Sequence, residues 1–441
     1  MLDILADRTY RHLFLAQVVA LLGTGLATMA LGLLAYDLAG ERAALVLGTV
    51  FTIKMVAYVG IAPLASAFAE RVPRRAMLVT LDLIRAAVAL ALPFVTEVWQ
   101  IYVLIFLLQA ASAGFTPTFQ ATIPDVLPEE PRYTRALSLS RLAYDLENIV
   151  SPALAALFLA VMSYNMLFLG TVVGFLASAL LVLSVVLPSP KTVTRRGIYD
   201  RTTRGIRLYL ATPRLRGLLG LNLAVSAAGA MVLVNSVVLV RGQLGLDDTA
   251  LAWTMFAFGA GSMIAAFALP PLLERVADRL VMLLGGALMV TALLGLALAL
   301  TAVGLSWPLM LGVWLLIGLG NSTVMTPSGR LLRRSARAPD LPAVFAAQFA
   351  LSHACWLLTY PLAGWLMTEF GTITALLALA VLGAIGVIAA FRFWPAGDPE
   401  ILAHAHPNLP SGHPHLKPSD TEGHAHPFII DDLHPRWPDR G

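Results

Sequence analysis

Apolar runs of about 20 residues, the length a helix needs to cross a bilayer, recur at 13–38, 45–69, 76–95, 99–123, 138–161, 165–188, 217–240, 250–273, 280–302, 307–329, 343–368 and 373–395. A chain with twelve such segments has few folds open to it. Lipid offers backbone groups no water, so only helices and closed barrels satisfy them there. The 441 residues are 58% hydrophobic and 13% charged, a composition foreign to a string of soluble domains. Basic residues fall between the runs and mostly on one side of the count: Arg8, Arg11, Arg71, Arg74, Arg75, Arg132, Arg135, the stretch from Lys191 to Arg216, Arg275, Arg279, and Arg330 to Arg337. The opposite loops hold little beyond Arg42 and Arg241. By the positive-inside rule, both termini of this multi-pass chain are expected in the cytoplasm. The first residues, MLDILADRTYRHL, lack the order of a cleaved signal peptide, so the first helix is read as retained.

The chain repeats itself. Glu70-Arg71-Val72-Pro73-Arg74-Arg75 returns 204 residues later as Glu274-Arg275-Val276-Ala277-Asp278-Arg279, each copy following the second apolar run of its half. Pro117 and Pro327 are 210 apart, and Pro152 and Pro361 are 209 apart. Such an echo implies a duplicated bundle. The expected fold is an all-α membrane protein with twelve transmembrane helices in two pseudo-symmetric six-helix bundles. Residues 1–188 form the N-terminal bundle, 189–216 a basic linker, 217–395 the C-terminal bundle, and 396–441 a disordered His-rich tail.

The first copy of the repeat resembles the loop signature of the major facilitator superfamily, Gly-x-Leu-Ala-Asp-Arg-x-Gly-Arg-Arg/Lys-x-x-Leu. Phe68, Ala69, Glu70, Arg71, Arg74, Arg75 and Leu78 fall on it or on near equivalents, while Ser66 and Pro73 replace the two glycines. The resemblance implies a gating loop in which Glu70, Arg71, Arg74 and Arg75 act as a charge latch on the inner side. Simple anchoring to the inner surface requires the same residues. Asp82 and Arg85, three apart on one face of the third helix, read as a structural pair beside that loop.

Polar groups inside the runs are costly and therefore informative. Lys54 lies well inside the second helix, where an ammonium costs roughly 2.5–3.5 kcal/mol, and it must find a partner, face water or snorkel outward. The fifth helix is the most polar: Arg141, Tyr144, Asp145, Glu147, Asn148, Ser151 and Pro152. Arg141 and Asp145 are four apart and can pair, whereas Glu147 has no cation on its own helix face. Tyr144, Glu147, Asn148 and Ser151 share one face, and the eleventh helix presents His353, Trp356 and Tyr360 at repeat-related positions. Two arrangements satisfy this pattern. In one, Glu147 and His353 look into a shared central space, with Asp145 and Asn148 as secondary candidates. In the other, Glu147 pairs with Lys54 and His353 bonds a backbone carbonyl.

The tail has a different character. It carries three His-x-His pairs, His404/His406, His413/His415 and His424/His426, followed by His434, with neither Cys nor Met nearby. Imidazoles two apart on an extended chain project to one side, and nitrogen ligands of this kind suit Ni, Co, Cu(II) or Zn. Together with the spans, the loop signature and the SRLAYDLEN fifth helix, the tail makes the chain resemble bacterial nickel-resistance permeases. That resemblance implies export of Ni(II), sometimes Co(II), driven by the proton gradient, with these ions as substrates and no permanently bound cofactor.

The leading expectation is therefore a secondary transporter of the bacterial inner membrane that exports a divalent cation by alternating access, with the unbalanced carboxylate of Glu147 as the group at which proton and metal compete. The runner-up is an exporter of an organic compound, a drug or a metal chelate, because buried Lys54 repels a metal ion. An enzyme is not expected. Cys355 and His353, two apart on a helix, point to different sides, and no phosphate-binding loop follows a strand. The expected partners are metal ions, protons and the lipid bilayer, without nucleic acid, and the chain is expected to work as a monomer.

Overall fold

The computed structural model describes residues 2–69, 72–188, 198–337, 340–397, 401–404, 424–431, 433–434 and 437. The first half comprises α1 (Arg8–Ala39), α2 (Ala43–Ala69), α3 (Arg74–Ala91), α4 (Val98–Val126), α5 (Glu130–Leu159) and α6 (Asn165–Leu183). After the short α7 (Ile198–Ala211), the second half comprises α8 (Pro213–Val237), α9 (Asp248–Leu273), α10 (Asp278–Val303), α11 (Trp307–Arg334) and α12 (Leu341–Phe393). Side-chain caps fix several starts: Asp7 accepts from the Tyr10 amide at 2.9 Å, and Asp247 accepts from the Ala250 amide at 2.8 Å. Glu97 and Gln100 form a reciprocal capping box at the start of α4.

Among the described residues, nine stretches are long and apolar enough to cross a membrane, and two of these, Arg8–Ile61 and Ala343–Phe393, each run through two consecutive spans. The remaining span is α5, whose apolar stretch among the described residues is Val150–Leu159. α12 is one helix by hydrogen bonding but turns at Gly371, where φ is 81°. A side chain there would be strained, so glycine makes the corner between the eleventh and twelfth spans.

The repeated loop has a counterpart in both halves, with its charges exchanged. Arg74 at the start of α3 pairs with Asp125 near the end of α4 at 2.7 Å. In the second half, Asp278 at the start of α10 pairs with Arg330 near the end of α11. Arg75 donates to the Leu183 carbonyl at the end of α6. Glu70 and Arg71 lie outside the described residues. Reversing Arg74 to Asp is expected to lower thermal stability, and adding Asp125→Arg should recover it, with a coupling of about 1 kcal/mol. Thermal unfolding of the two single variants and the double variant measures this, and strict additivity would show that the contact contributes nothing.

Asp82 and Arg85 sit deeper than the loop, two to three turns into α3. Asp82 is fully buried and Arg85 is 5% exposed. They pair with each other, Ser178 donates to Asp82 at 2.8 Å, and the guanidinium lies 4.0 Å from the Phe115 ring centre and 4.5 Å from that of Phe175. The pair thus ties α3 to α4 and α6.

Both connecting segments carry structure that the sequence pattern did not show. The linker at 189–216 contains a helix: Arg204 on α7 makes two hydrogen bonds to Asp340, at 2.7 and 3.3 Å, and Tyr209 donates to Gln348. The tail is not disordered throughout. β1 (Ile401–His404) pairs antiparallel with β2 (His424–Pro427), placing His404 opposite His424. Phe428, Ile430, Asp431 and His434 are then buried against the second half. Asp431 pairs with Arg337 at 2.5 Å and accepts from the Leu433 and His434 amides at 2.9 and 2.8 Å. Arg214 at the start of α8 lies 5.2 Å from the Trp437 ring centre and donates to the Phe428 carbonyl at 3.5 Å. The anchoring side chains are too few and too irregularly spaced to give an apolar period, so the sequence pattern missed them.

Burial alone would raise the Asp431 carboxyl, but hydrogen bonds from His434 and the charge of Arg337 outweigh it and hold the group below the usual carboxylate value. A depressed folded-state pKa gives docking that is at full strength above the unfolded value of about 3.9 and is lost as pH falls through the lower folded value. The segment should therefore stay docked at neutral pH and loosen only in strong acid. Asp431→Asn is expected to release it at neutral pH, read as faster hydrogen exchange across 424–431. Exchange at the wild-type rate would show that this ion pair does not hold the tail.

Candidate functional site

Both chain halves contribute to a polar cluster near mid-depth. α2 starts at Ala43, and Lys54 lies about 16 Å along it at a rise of 1.5 Å per residue, close to half of an apolar layer about 30 Å thick. Glu147 on α5 comes to a similar level. A Cβ on Gly25 of α1 would collide with the Ser151 side chain, so the glycine lets α5 pack closely on α1, and the Glu147 Cγ lies in ordinary contact range, 3.5 Å from the same point. Ser151, one turn further, donates to the Leu22 carbonyl at 3.5 Å. The α5 face carrying Tyr144, Glu147 and Ser151 therefore packs on α1 and not on lipid.

Lys54 and Glu147 interact electrostatically across α2 and α5, so the carboxylate that lacks a cation on its own helix gains one from a neighbour. His353 in the first span of α12 feels the same ammonium. Its Nδ1 donates to the Phe349 carbonyl at 2.7 Å, which leaves Nε2 as the lone-pair nitrogen. The imidazole is 3.9 Å from the Phe349 ring centre and 6.2 Å from that of Tyr58. Lys54 thus interacts with Glu147 in its own half and with His353 in the other. The side chains of Arg141, Asp145 and Asn148 lie outside what is described.

Tyr58 was not singled out from the sequence, although it stands one turn from Lys54 on α2. It is hydrogen-bonded to Thr116 of α4 and shares the fields of Arg85 and Glu147. That spacing, four residues from a buried lysine, was the available signal. Tyr144 is hydrogen-bonded to Gln17 of α1, and Gln17 accepts from Ser140 at 2.9 Å. A recess of about 70 Å³ opens beside this chain of bonds, lined by Gln17, Thr24, Arg85, Thr116, Gln120, Ser140 and Tyr144, with Phe115 and Phe119.

The halves meet on the face opposite the basic one. Phe51 of α2 stacks on Tyr360 of α12 with ring centres 4.9 Å apart, and Trp356 packs on Tyr360 at the same distance. A Cβ on Gly48 would be 2.7 Å from the Tyr360 carbonyl, and one on Gly364 would collide with the Ala44 backbone. Further out, the guanidinium of Arg241, in the turn Val238–Gln243 that follows α8, lies 5.4 Å from the Tyr36 ring centre near the end of α1.

His406, His413 and His415 of the tail lie outside the described residues. His404, His424 and His426 are placed only as strand positions, while His434 is bonded to Asp431 at 2.8 Å. Among the described residues, no group of three His, Cys, Asp or Glu side chains comes together as a metal site.

Two six-span halves, in contact on one face and sharing a polar cluster at mid-depth, define a membrane transporter. The chain belongs to the Major Facilitator Superfamily, whose model matches residues 13–239 and 218–418. It is therefore a multi-pass membrane transporter and not an enzyme. It is 24% identical to the MFS-type transporter YvqJ of Bacillus subtilis (strain 168) over 404 residues, covering 88% of this chain and 92% of that one. Over 177 residues it is 27% identical to Macrolide efflux protein A of Streptococcus pyogenes, covering 39% of this chain and 43% of that protein. With YfiS of Bacillus subtilis (strain 168) the match is 24% over 215 residues, 46% of this chain and 50% of that one. The chain thus spans about half the length of the curated relatives that match it first. Among solved structures, a POT family transporter in complex with 5-aminolevulinic acid superposes with a TM-score of 0.69 at 10% identity, covering 88% of this chain and 96% of that one. The nucleoside transporter NupG gives 0.62 at 13% identity, covering 87% and 98%. At these identities the likeness is one of fold.

Proposed function

We propose that this chain exports an organic solute from the bacterial cytoplasm across the inner membrane in exchange for protons, as a monomer with both termini inside. The observation that carries this reading is Glu147, a carboxylate at mid-depth set against the bare backbone of Gly25 and within the field of Lys54. Exchange requires a group that gains and loses a proton where the cargo passes, and a desolvated carboxylate with one cation near it is suited to that. The surroundings favour an organic cargo. Phe51, Tyr58, Phe349, Trp356 and Tyr360 give flat apolar surface, while Lys54 repels a dication. The similarity to macrolide efflux proteins agrees with export of this kind.

Export of Ni(II) or Co(II) as substrate remains a second reading, favoured by the three His-x-His pairs and by the register that sets His404 opposite His424. In that case the tail would gather ions on the basic face, and His353 would offer Nε2 on the way. Tolerance of cells with and without the protein to a panel of macrolides, and to nickel and cobalt salts, separates the two. Loss of macrolide tolerance alone supports the first reading, and loss of metal tolerance alone replaces it with the second.

A further inference from the structure

We propose that the seam between α1 and α5 is a proton path inside the N-terminal half, in which Tyr144, oriented by Gln17, relays protons between water in the recess and Glu147. The inference rests on the proposed role of Glu147 as proton carrier and adds the route by which its proton arrives.

The seam is a continuous run of polar groups in an otherwise apolar bundle. Ser140, Tyr144, Glu147 and Ser151 recur at three- and four-residue steps on α5, and Gln17 and Gly25 face them from α1. Gln17 and Ser140 stand nearer the basic ends of their helices than Gly25 and Glu147 do, so the seam leads inward from that face. The carbonyl end of Gln17 is taken by Ser140 at 2.9 Å. In the relay the Gln17 amide group donates to the Tyr144 oxygen, and the phenol's own proton passes onward.

The size of the recess decides its role. At about 70 Å³ it is too small for a drug-sized cargo, whose sites run to about 300 Å³ or more, but it holds a few waters. Its polar lining supplies the partners such waters require. A relay step is balanced: Tyr144 passes its hydroxyl proton towards the Glu147 carboxylate and takes one from a recess water, which is replenished from the basic side.

Titratable and charged groups face this pair from every neighbouring helix. α2 contributes Lys54 and Tyr58, α3 contributes Arg85 held by Asp82, and α12 contributes His353 through its interaction with Lys54. α1 contributes only neutral Gln17, Thr24 and Gly25, and α4 the neutral Thr116. Among the described residues, Tyr144 is the titratable group of α5 that lines the recess.

The test uses the purified full chain in lipid and needs no cargo. After a pH jump, time-resolved infrared spectroscopy follows the carboxylic acid C=O band of Glu147, assigned by its absence in Glu147→Gln. Tyr144→Phe is expected to slow the appearance of that band by about a hundredfold while leaving its final amplitude unchanged. Gln17→Leu, which removes only the orienting bond, should slow it less. Wild-type kinetics in Tyr144→Phe would overturn the path while leaving Glu147 as the carrier. A spectrum unaltered by Glu147→Gln would instead show that Glu147 does not titrate, and the proposed function would fail with it.

Discussion

Glu147→Gln is expected to leave the protein folded and able to bind its solute, yet unable to drive export from a proton gradient. Glutamine keeps the size and hydrogen bonding of the side chain but cannot change charge. The substitution also strands Lys54, which sits about 16 Å inside the apolar layer and has Glu147 as its counter-charge. Breaking a buried pair by removing one partner costs about 3–5 kcal/mol, so the single variant should also melt at a lower temperature. Adding Lys54→Met separates the two effects. The double variant should regain thermal stability, because no unpaired ammonium is left, but still show no gradient-driven export in everted vesicles. Normal acceleration by an imposed pH gradient in Glu147→Gln would remove Glu147 from the mechanism.

The second large effect is expected at the contact between the halves. Gly48 and Gly364 let α2 and α12 cross with their backbones nearly touching: a Cβ at Gly48 would lie 2.7 Å from the Tyr360 carbonyl, and one at Gly364 would meet Ala44. These neighbours are backbone atoms, which cannot rotate away as a side chain can. Gly364→Leu should therefore prevent this face from closing and hold the protein open on it, with export falling to background. Spin labels on Glu41→Cys and Gln243→Cys, two exposed positions on that face, report the closure in a Cys355→Ser background. The expected result is a short, narrow distance in the parent and a longer one in Gly364→Leu. Equal distances together with normal export would show that this crossing is not a gate.

The fold was legible because its determinants are long-range averages. Runs of apolar residues, the repeat at Glu70 and Glu274, and the paired prolines each survive small local errors. The polarity of Glu147 and Lys54 was visible too, but not their relation, since residues 93 apart on different helices become neighbours only through packing. Tyr58 was passed over because a tyrosine in an apolar run is unremarkable until His353 is found beside it. The reversal of charge between Arg74–Asp125 and Asp278–Arg330 was half visible, as Asp278 standing where the first copy has Arg74, while the partners lie some fifty residues further along each half. The docked tail was hidden for the opposite reason: Phe428, Ile430 and Trp437 form no pattern among themselves and gain meaning only from Arg214 and Arg337.

The short connections on the contact face bear on how such a molecule can move. α1 passes into α2 through only Gly40–Arg42, and the two spans of α12 are joined through the single corner at Gly371. α2 and the first part of α12, which touch across the midline as α5 and α9 also do, are thus each coupled with almost no slack to a neighbouring span. Parting them by a few ångströms must carry the neighbouring span along, so each pair moves as one lever arm.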